Sequence, residues 1–186
     1  TTTSTDARVR VYDVDVSKAN VTSMSSKFNI VGSLTLTSPN GGQHWPVDST
    51  QYITWTSAAV SLVNVSYSLN NGSLWNSLGQ VAAANASTSW VIDKDTQVSN
   101  NATLVRIQDA FNPDVVYDVS AVPFDVVGVF NITDPESGHV AIAEDTYVIK
   151  WDKKGLGSMG LRIRSSGSLR ALIRGMRCCS IRMIRE

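Results

Sequence analysis

An all-β fold is predicted by three observations: short runs in which apolar and polar residues alternate, turn-forming clusters between them, and no convincing helical periodicity between the runs. Leu34-Thr35-Leu36-Thr37 alternates and stops at Ser38-Pro39-Asn40-Gly41-Gly42, a cluster that breaks any regular element. Tyr52-Ile53-Thr54-Trp55-Thr56 places Ile53 and Trp55 on one face. Val63 to Leu69 alternates and ends at Asn70-Asn71-Gly72, whose Asn-Gly step supplies the positive φ of a tight turn. Residues 89–92, 103–107 and 123–127 complete a set of six or seven short strands, and their β-branched, Ser and Thr content supports the same assignment.

The sequence also repeats itself. Phe28-Asn29-Ile30-Val31-Gly32 recurs as Phe124-Asp125-Val126-Val127-Gly128, a shift of 96. At that shift Thr37, Pro39, Gly42, Thr50, Ile53 and Trp55 recur as Thr133, Pro135, Gly138, Thr146, Ile149 and Trp151 without a gap. Upstream, Val9-Arg10-Val11-Tyr12-Asp13 matches Val105-Arg106-Ile107-Gln108-Asp109. Repeats of this period signal an array of equivalent units. The expected organisation is therefore the C-terminal strands of a truncated module (1–32), one complete module (33–128), the N-terminal strands of a truncated module (129–165), and an aberrant basic tail (166–186).

Period-2 patterns with one apolar face suit two antiparallel sheets packed face to face. The expectation is tandem immunoglobulin-like or fibronectin-type antiparallel β-sandwiches, one complete and two partial. The complete module has no Cys, so apolar packing must hold its sheets together. Ile53, Trp55, Tyr67, Trp90, Val105, Ile107 and Phe124 are the expected core. A single Gly joins each last strand to the next first strand, too short for a flexible tether, so successive modules are expected to stack end to end as a stiff rod.

The combination Ser38-Pro39-Asn40-Gly41-Gly42-Gln43-His44-Trp45-Pro46-Val47, Ile53-Thr54-Trp55, Val65-Ser66-Tyr67-Ser68, Asn71-Gly72-Ser73-Leu74-Trp75 and Leu104-Val105-Arg106-Ile107 resembles the tandem Ig-like repeats of large prokaryotic secreted and cell-surface proteins. It is also similar to the Ig-like N-terminal domain of fungal Kre9/Knh1-type, Ser/Thr-rich, GPI-anchored wall proteins. The resemblance reaches to about residue 165 and implies a spacer, stalk or adhesive unit, extracellular or on the cell surface, with no catalytic residues. Its expected partners are neighbouring Ig-like modules in the same chain and surface glycans or proteins. An accessory or carbohydrate-binding module of a secreted hydrolase, or a fungal cell-wall assembly domain, remains the alternative.

Charge sharpens this. The 186 residues carry 16 Lys and Arg against 16 Asp and Glu, but residues 1–149 hold 6 basic and 14 acidic residues and residues 150–186 hold 10 and 2. The acidic part disfavours a nucleic-acid partner. No apolar run is long enough to span a bilayer, so no direct membrane insertion is expected. The lack of an initiator Met and of a signal peptide suggests a segment that begins inside a longer reading frame or has been processed.

Candidate chemistry is sparse, and no catalytic, cofactor or metal site is predicted; the chain is expected not to be an enzyme. His44 and His139 lie in equivalent loops of successive modules and cannot meet in one site. Adjacent Cys178 and Cys179 lack the spaced partners that zinc needs. Asp13 and Asp15, and Asp109, Asp114 and Asp118, offer oxygen ligands for calcium, though at no recognised spacing, and solvated loop acids are the default. Asn20, Asn64, Asn71, Asn85, Asn101 and Asn131 open Asn-x-Ser/Thr sequons. Trp45 and Trp75 sit beside turns, as stacking platforms or as caps on the core. In the tail, Leu169, Leu172, Ile173 and Met176 share one helical face, which reads as a basic amphipathic helix for a membrane surface or acidic partner; the competing reading is a frameshift.

Overall fold

A computed structural model describes residues 3–15, 17, 21–138, 140, 146–155 and 179–182. The described chain is all-β, built from several antiparallel sheets. Its strands are β1 Ser4–Ala7, β2 Arg10–Tyr12, β3 Thr22–Met24, β4 Phe28–Ile30, β5 Ser33–Ser38, β6 His44–Pro46, β7 Ser49–Ala58, β8 Leu62–Ser68, β9 Asn76–Ala82, β10 Ser87–Ile92, β11 Ser99–Asp109, β12 Tyr117–Val119, β13 Phe124–Val127, β14 Val129–Asp134, β15 Thr146–Lys154 and β16 Cys179–Arg182. One sheet runs β10-β7-β5, a larger one β6-β13-β11-β8-β9 with β12 beside β11, and a third β14-β15-β16. Two small pairs, β1-β4 and β2-β3, complete the set. The described residues group into two compact units, Thr1–His44, Thr50–Trp90 and Ser99–Asp125 in one, and Trp45–Ser49, Val91–Val98 and Val126–Glu186 in the other.

In the first unit the alternation in sequence becomes alternation in burial. Leu34 and Leu36 of β5, Ile53 and Trp55 of β7, Val63 and Val65 of β8, and Val105 and Ile107 of β11 are buried, with Trp90 and Phe124. Six of the seven expected core residues are in this set. Tyr67 is half-buried because its ring covers Trp90, with centroids 4.4 Å apart and planes at 29°. Trp55 is anchored at its polar end, its indole Nε1 donating to Ala83 O at 3.2 Å. The Asn71-Gly72 turn adopts the expected geometry, with φ of 53° and 82°.

Within residues 33–128 three strands were not legible. β6 and β12 are three residues each, too short to alternate detectably. β9 edges the large sheet, buries no residue and bulges at Gly79, where φ is 105°.

Hydrogen-bonding patterns recur along the chain. In β5–β7, Ser33 faces Ala58 and Leu36 faces Trp55; in β14–β15, Val129 faces Lys154 and Ile132 faces Trp151. Each position lies 96 further on, and both ladders slip once, after Leu36 and after Ile132. In β2–β3, Arg10 faces Met24, and in β11–β12, Arg106 faces Val119. Three bonds in and around the loops that join these pairs recur. Asp13 N donates to Val21 O at 3.0 Å and Asp109 N to Val116 O at 2.8 Å. Asp15 N donates to Asp13 Oδ1 as Phe111 N does to Asp109 Oδ1. Val9 N donates to Ser25 Oγ as Val105 N does to Ser120 Oγ.

Burial does not recur with the ladders. Ile107 is 0% exposed and its counterpart Val11 67%; Phe124 is 1% and Phe28 43%; Leu36 is 2% and Ile132 65%. Backbone pairing is set locally by the strand sequence and turn, whereas burial needs an opposing sheet.

Ser120 illustrates the difference. Its buried hydroxyl accepts from Val105 N at 3.0 Å and donates to Pro39 O at 2.9 Å. Ser120→Ala strands both groups and should cost about 1–3 kcal/mol by denaturant titration. Ser25→Ala removes the equivalent bond at an exposed site and should stay within about 0.5 kcal/mol.

In the second unit, Val47 N donates to Val127 O at 2.9 Å and Asp48 N to Ile92 O at 2.8 Å. Gly155 N reaches Lys94 O at 2.8 Å, and Lys154 pairs with Asp48. Gly155 has φ of 68°, and a Cβ there would lie 2.8 Å from a Val47 methyl, so both conformation and space require glycine.

The tail departs from expectation at one place. Residues 166–186 match no earlier strand in sequence, yet Cys179–Arg182 form β16 on β15, the neighbour that β10 is to β7. Strand pairing is made by backbone groups and tolerates unrelated side chains. The remaining tail expectations, including the amphipathic face Leu169, Leu172, Ile173 and Met176, lie outside the described residues, as do Asn20, His139 and Cys178.

Candidate functional site

The outward face of the β8–β11 ladder assembles the most chemically varied group. Because Val63 and Val65 point inward, Asn64 and Ser66 point outward, and register sets Arg106 opposite Ser66 and Gln108 opposite Asn64. On the other side of β11, Tyr117 lies opposite Gln108. Trp75 comes from the turn before β9 and holds the Arg106 guanidinium 4.3 Å from its ring centroid, a cation–π contact. Beneath it, Ser66 Oγ and Arg106 Nε are shielded from solvent without a hydrogen-bond partner. Gln108 Nε2 donates to Pro113 O at 3.1 Å and fixes the neighbouring loop. Such a face combines an aromatic ring with guanidinium, hydroxyl and amide groups. Sequence reasoning found Trp75 but missed Arg106 and Ser66, since only strand register brings residues this far apart together.

The other aromatic candidate is displaced from the surface. Trp45 is buried in β6 and presents no free ring for stacking; of the two roles open to it, it takes the packing one.

His44 is exposed, and its Nδ1 lies 2.7 Å from Asp125 Oδ2. The same carboxylate accepts from the backbone N–H of Asn101. The pair therefore ties three chain segments together.

The acidic residues do not converge on a cation. Asp109 is buried with its oxygens accepting from Phe111 N and Asn112 Nδ2, at 3.1 and 3.0 Å. Asp118 spends its oxygens on Leu36 N and Val119 N. Asp114 is exposed. Asp13 and Asp15 cap consecutive turns, and hydrogen bonds from the Ser17 backbone and hydroxyl hold the Asp15 carboxyl below its ordinary pKa. Among the described residues no three His, Cys, Asp or Glu side chains are grouped to hold a metal. The shallow depression lined by Lys94, Lys153 and Lys154 is no anion site, since Lys94 is paired with Asp95 and Lys154 with Asp48.

The sequons divide by exposure. Asn71, Asn85, Asn101 and Asn131 are exposed, whereas Asn64 is half-buried in mid-strand beside the shielded Ser66 hydroxyl. Secretion from a glycosylating eukaryotic host should add glycans at the four exposed sites and none at Asn64. Mass spectrometry after enzymatic deglycosylation reads this directly.

Comparison with family profiles, curated proteins and solved structures finds no significant match.

Proposed function

We propose that the chain is a non-catalytic structural and adhesive segment of a secreted or cell-surface protein, built from Ig-like β-sandwich modules repeated every 96 residues. The observation that carries this reading is the recurrence of the β5–β7 ladder register at that spacing, with matching loop hydrogen bonds whose far partners lie one residue short of it. In this reading β5-β7-β10 and the large sheet are the two layers of the complete sandwich, and the flanking strands are parts of two further ones. A chain that repeats one closed unit in series gains reach with each copy and presents the same outer face again and again, which suits a spacer or stalk. The Trp75–Arg106 face gives the complete module a surface for weak contacts with glycans or proteins.

Stretching single molecules tests the mechanical part. A closed module over residues 33–128 should unfold in one step, lengthening the chain by about 30 nm, the extended reach of about 96 residues less the folded span. Extension without such a step would defeat the reading. On a glycan or cell-surface protein array, Arg106→Ala should abolish any retention that the unaltered chain shows.

A further inference from the structure

Arg106 is a cation without a counter-charge. Residues 33–128 hold two basic side chains, Lys94 and Arg106, against seven acidic ones. Lys94 is paired with Asp95, whereas Arg106 has no carboxylate partner among the described residues. Its guanidinium lies on the Trp75 ring instead. Such a contact covers one flat side of a guanidinium and leaves the N–H groups in its plane free to donate. Of the three guanidinium nitrogens only Nε is shielded without a partner, so the two terminal ones form the open end of the fork. Arg10, 96 residues earlier, is likewise held over a ring, 5.6 Å from the Tyr12 centroid.

Two residues further along the ladder, register aligns Gln80, Asn64 and Gln108 in a row across three strands. Asn64 shares its face with Ser66, which stands opposite Arg106, so the amide row flanks the guanidinium at about 7 Å, with about 5 Å between neighbouring amides. Carboxamides both donate and accept, as sugar hydroxyls do. Trp75 is half-buried against Arg106 and the flanking row is polar, so the face lacks the free apolar anchor on which protein interfaces are centred.

We propose that this face binds a glycan through a sugar that carries a carboxylate, a uronic or sialic acid. The carboxylate accepts from the terminal nitrogens of Arg106, a planar fork that matches it, and the ring hydroxyls exchange hydrogen bonds with the amides of Asn64, Gln80 and Gln108. This rests on the adhesive reading above and gives it a ligand class.

An array of galacturonate, alginate, hyaluronan and polysialic acid oligosaccharides, each beside its methyl ester, tests it with the full 186-residue chain. The unaltered chain should be retained on at least one acid about tenfold or more above its ester, the effect of losing charge-assisted hydrogen bonds. Arg106→Gln should fall to the ester level with an unchanged thermal melt; if that variant unfolds, Gln80→Ala, at an exposed position, should still weaken retention on the acid. Retention on no acid, or equal retention on acid and ester, overturns the proposal. Stronger retention on polyglutamate than on every acidic glycan also overturns it, by assigning the carboxylate to a protein partner. Retention on neutral glycans alone removes the acid and leaves the adhesive reading standing.

Discussion

Trp55→Ala should destabilise the chain by about 3–5 kcal/mol, because it empties the space of a fully enclosed indole. Two losses combine. The ring is packed on β7 opposite Leu36, and with its Nε1 goes one of the donors to Ala83 O, which keeps the N–H of Ala86. For a unit of about 95 residues this is a fall of more than about 12 °C in melting temperature. The contrast residue is Trp151, which stands opposite Ile132 as Trp55 stands opposite Leu36 but is half-exposed. Trp151→Ala should therefore cost a minor fraction of the Trp55 value. Equal losses at the two sites would mean that Trp151 has an opposing sheet.

Phe124→Ala should cost a similar 3–5 kcal/mol, and Phe28→Ala far less. Both phenylalanines open the same five-residue motif and start a strand that pairs with an earlier one, β13 with β11 and β4 with β1. They differ in what covers them: Phe124 is enclosed, while nearly half of Phe28 faces solvent. Thermal melts of the two variants check this. Comparable destabilisation would show that the four motif strands near the N-terminus are buried against something after all.

The strand ladders were largely legible because their information is local. The Leu34/Leu36 and Val63/Val65 alternations, the Asn71-Gly72 turn and the shared Phe-Asn-Ile-Val and Phe-Asp-Val-Val segments each act over a few residues, and each produced the expected element. What escaped was long-range. Trp45 sits in a turn-rich stretch, yet pairing of β6 with β13 draws it into burial. Asp109 and Asp118 read as loop acids, and only the folded chain commits them to backbone donors, one of them the N–H of Leu36, 82 residues away. Arg106 carries no signal in sequence, since its partner Trp75 is brought over it by the β8–β9 and β8–β11 pairings. β16 was hidden for the opposite reason: its side chains match nothing, and backbone complementarity alone places it on β15.

The central claim is that one ladder geometry recurs while, among the described residues, only the stretch around β5 to β13 is closed by a core. Native-state hydrogen exchange of the monomeric chain, held below any self-association, tests that most directly. Amides in equivalent ladder positions have the same bonding, so differences in protection report the free energy of opening. Val105 N and Val9 N, both bonded to a serine hydroxyl, form one such pair, and Asp109 N and Asp13 N, bonded to Val116 O and Val21 O, another. Protection at Val105 and Asp109 should approach that of global unfolding, whereas Val9 and Asp13 should exchange orders of magnitude faster. Matching protection within both pairs would contradict the claim.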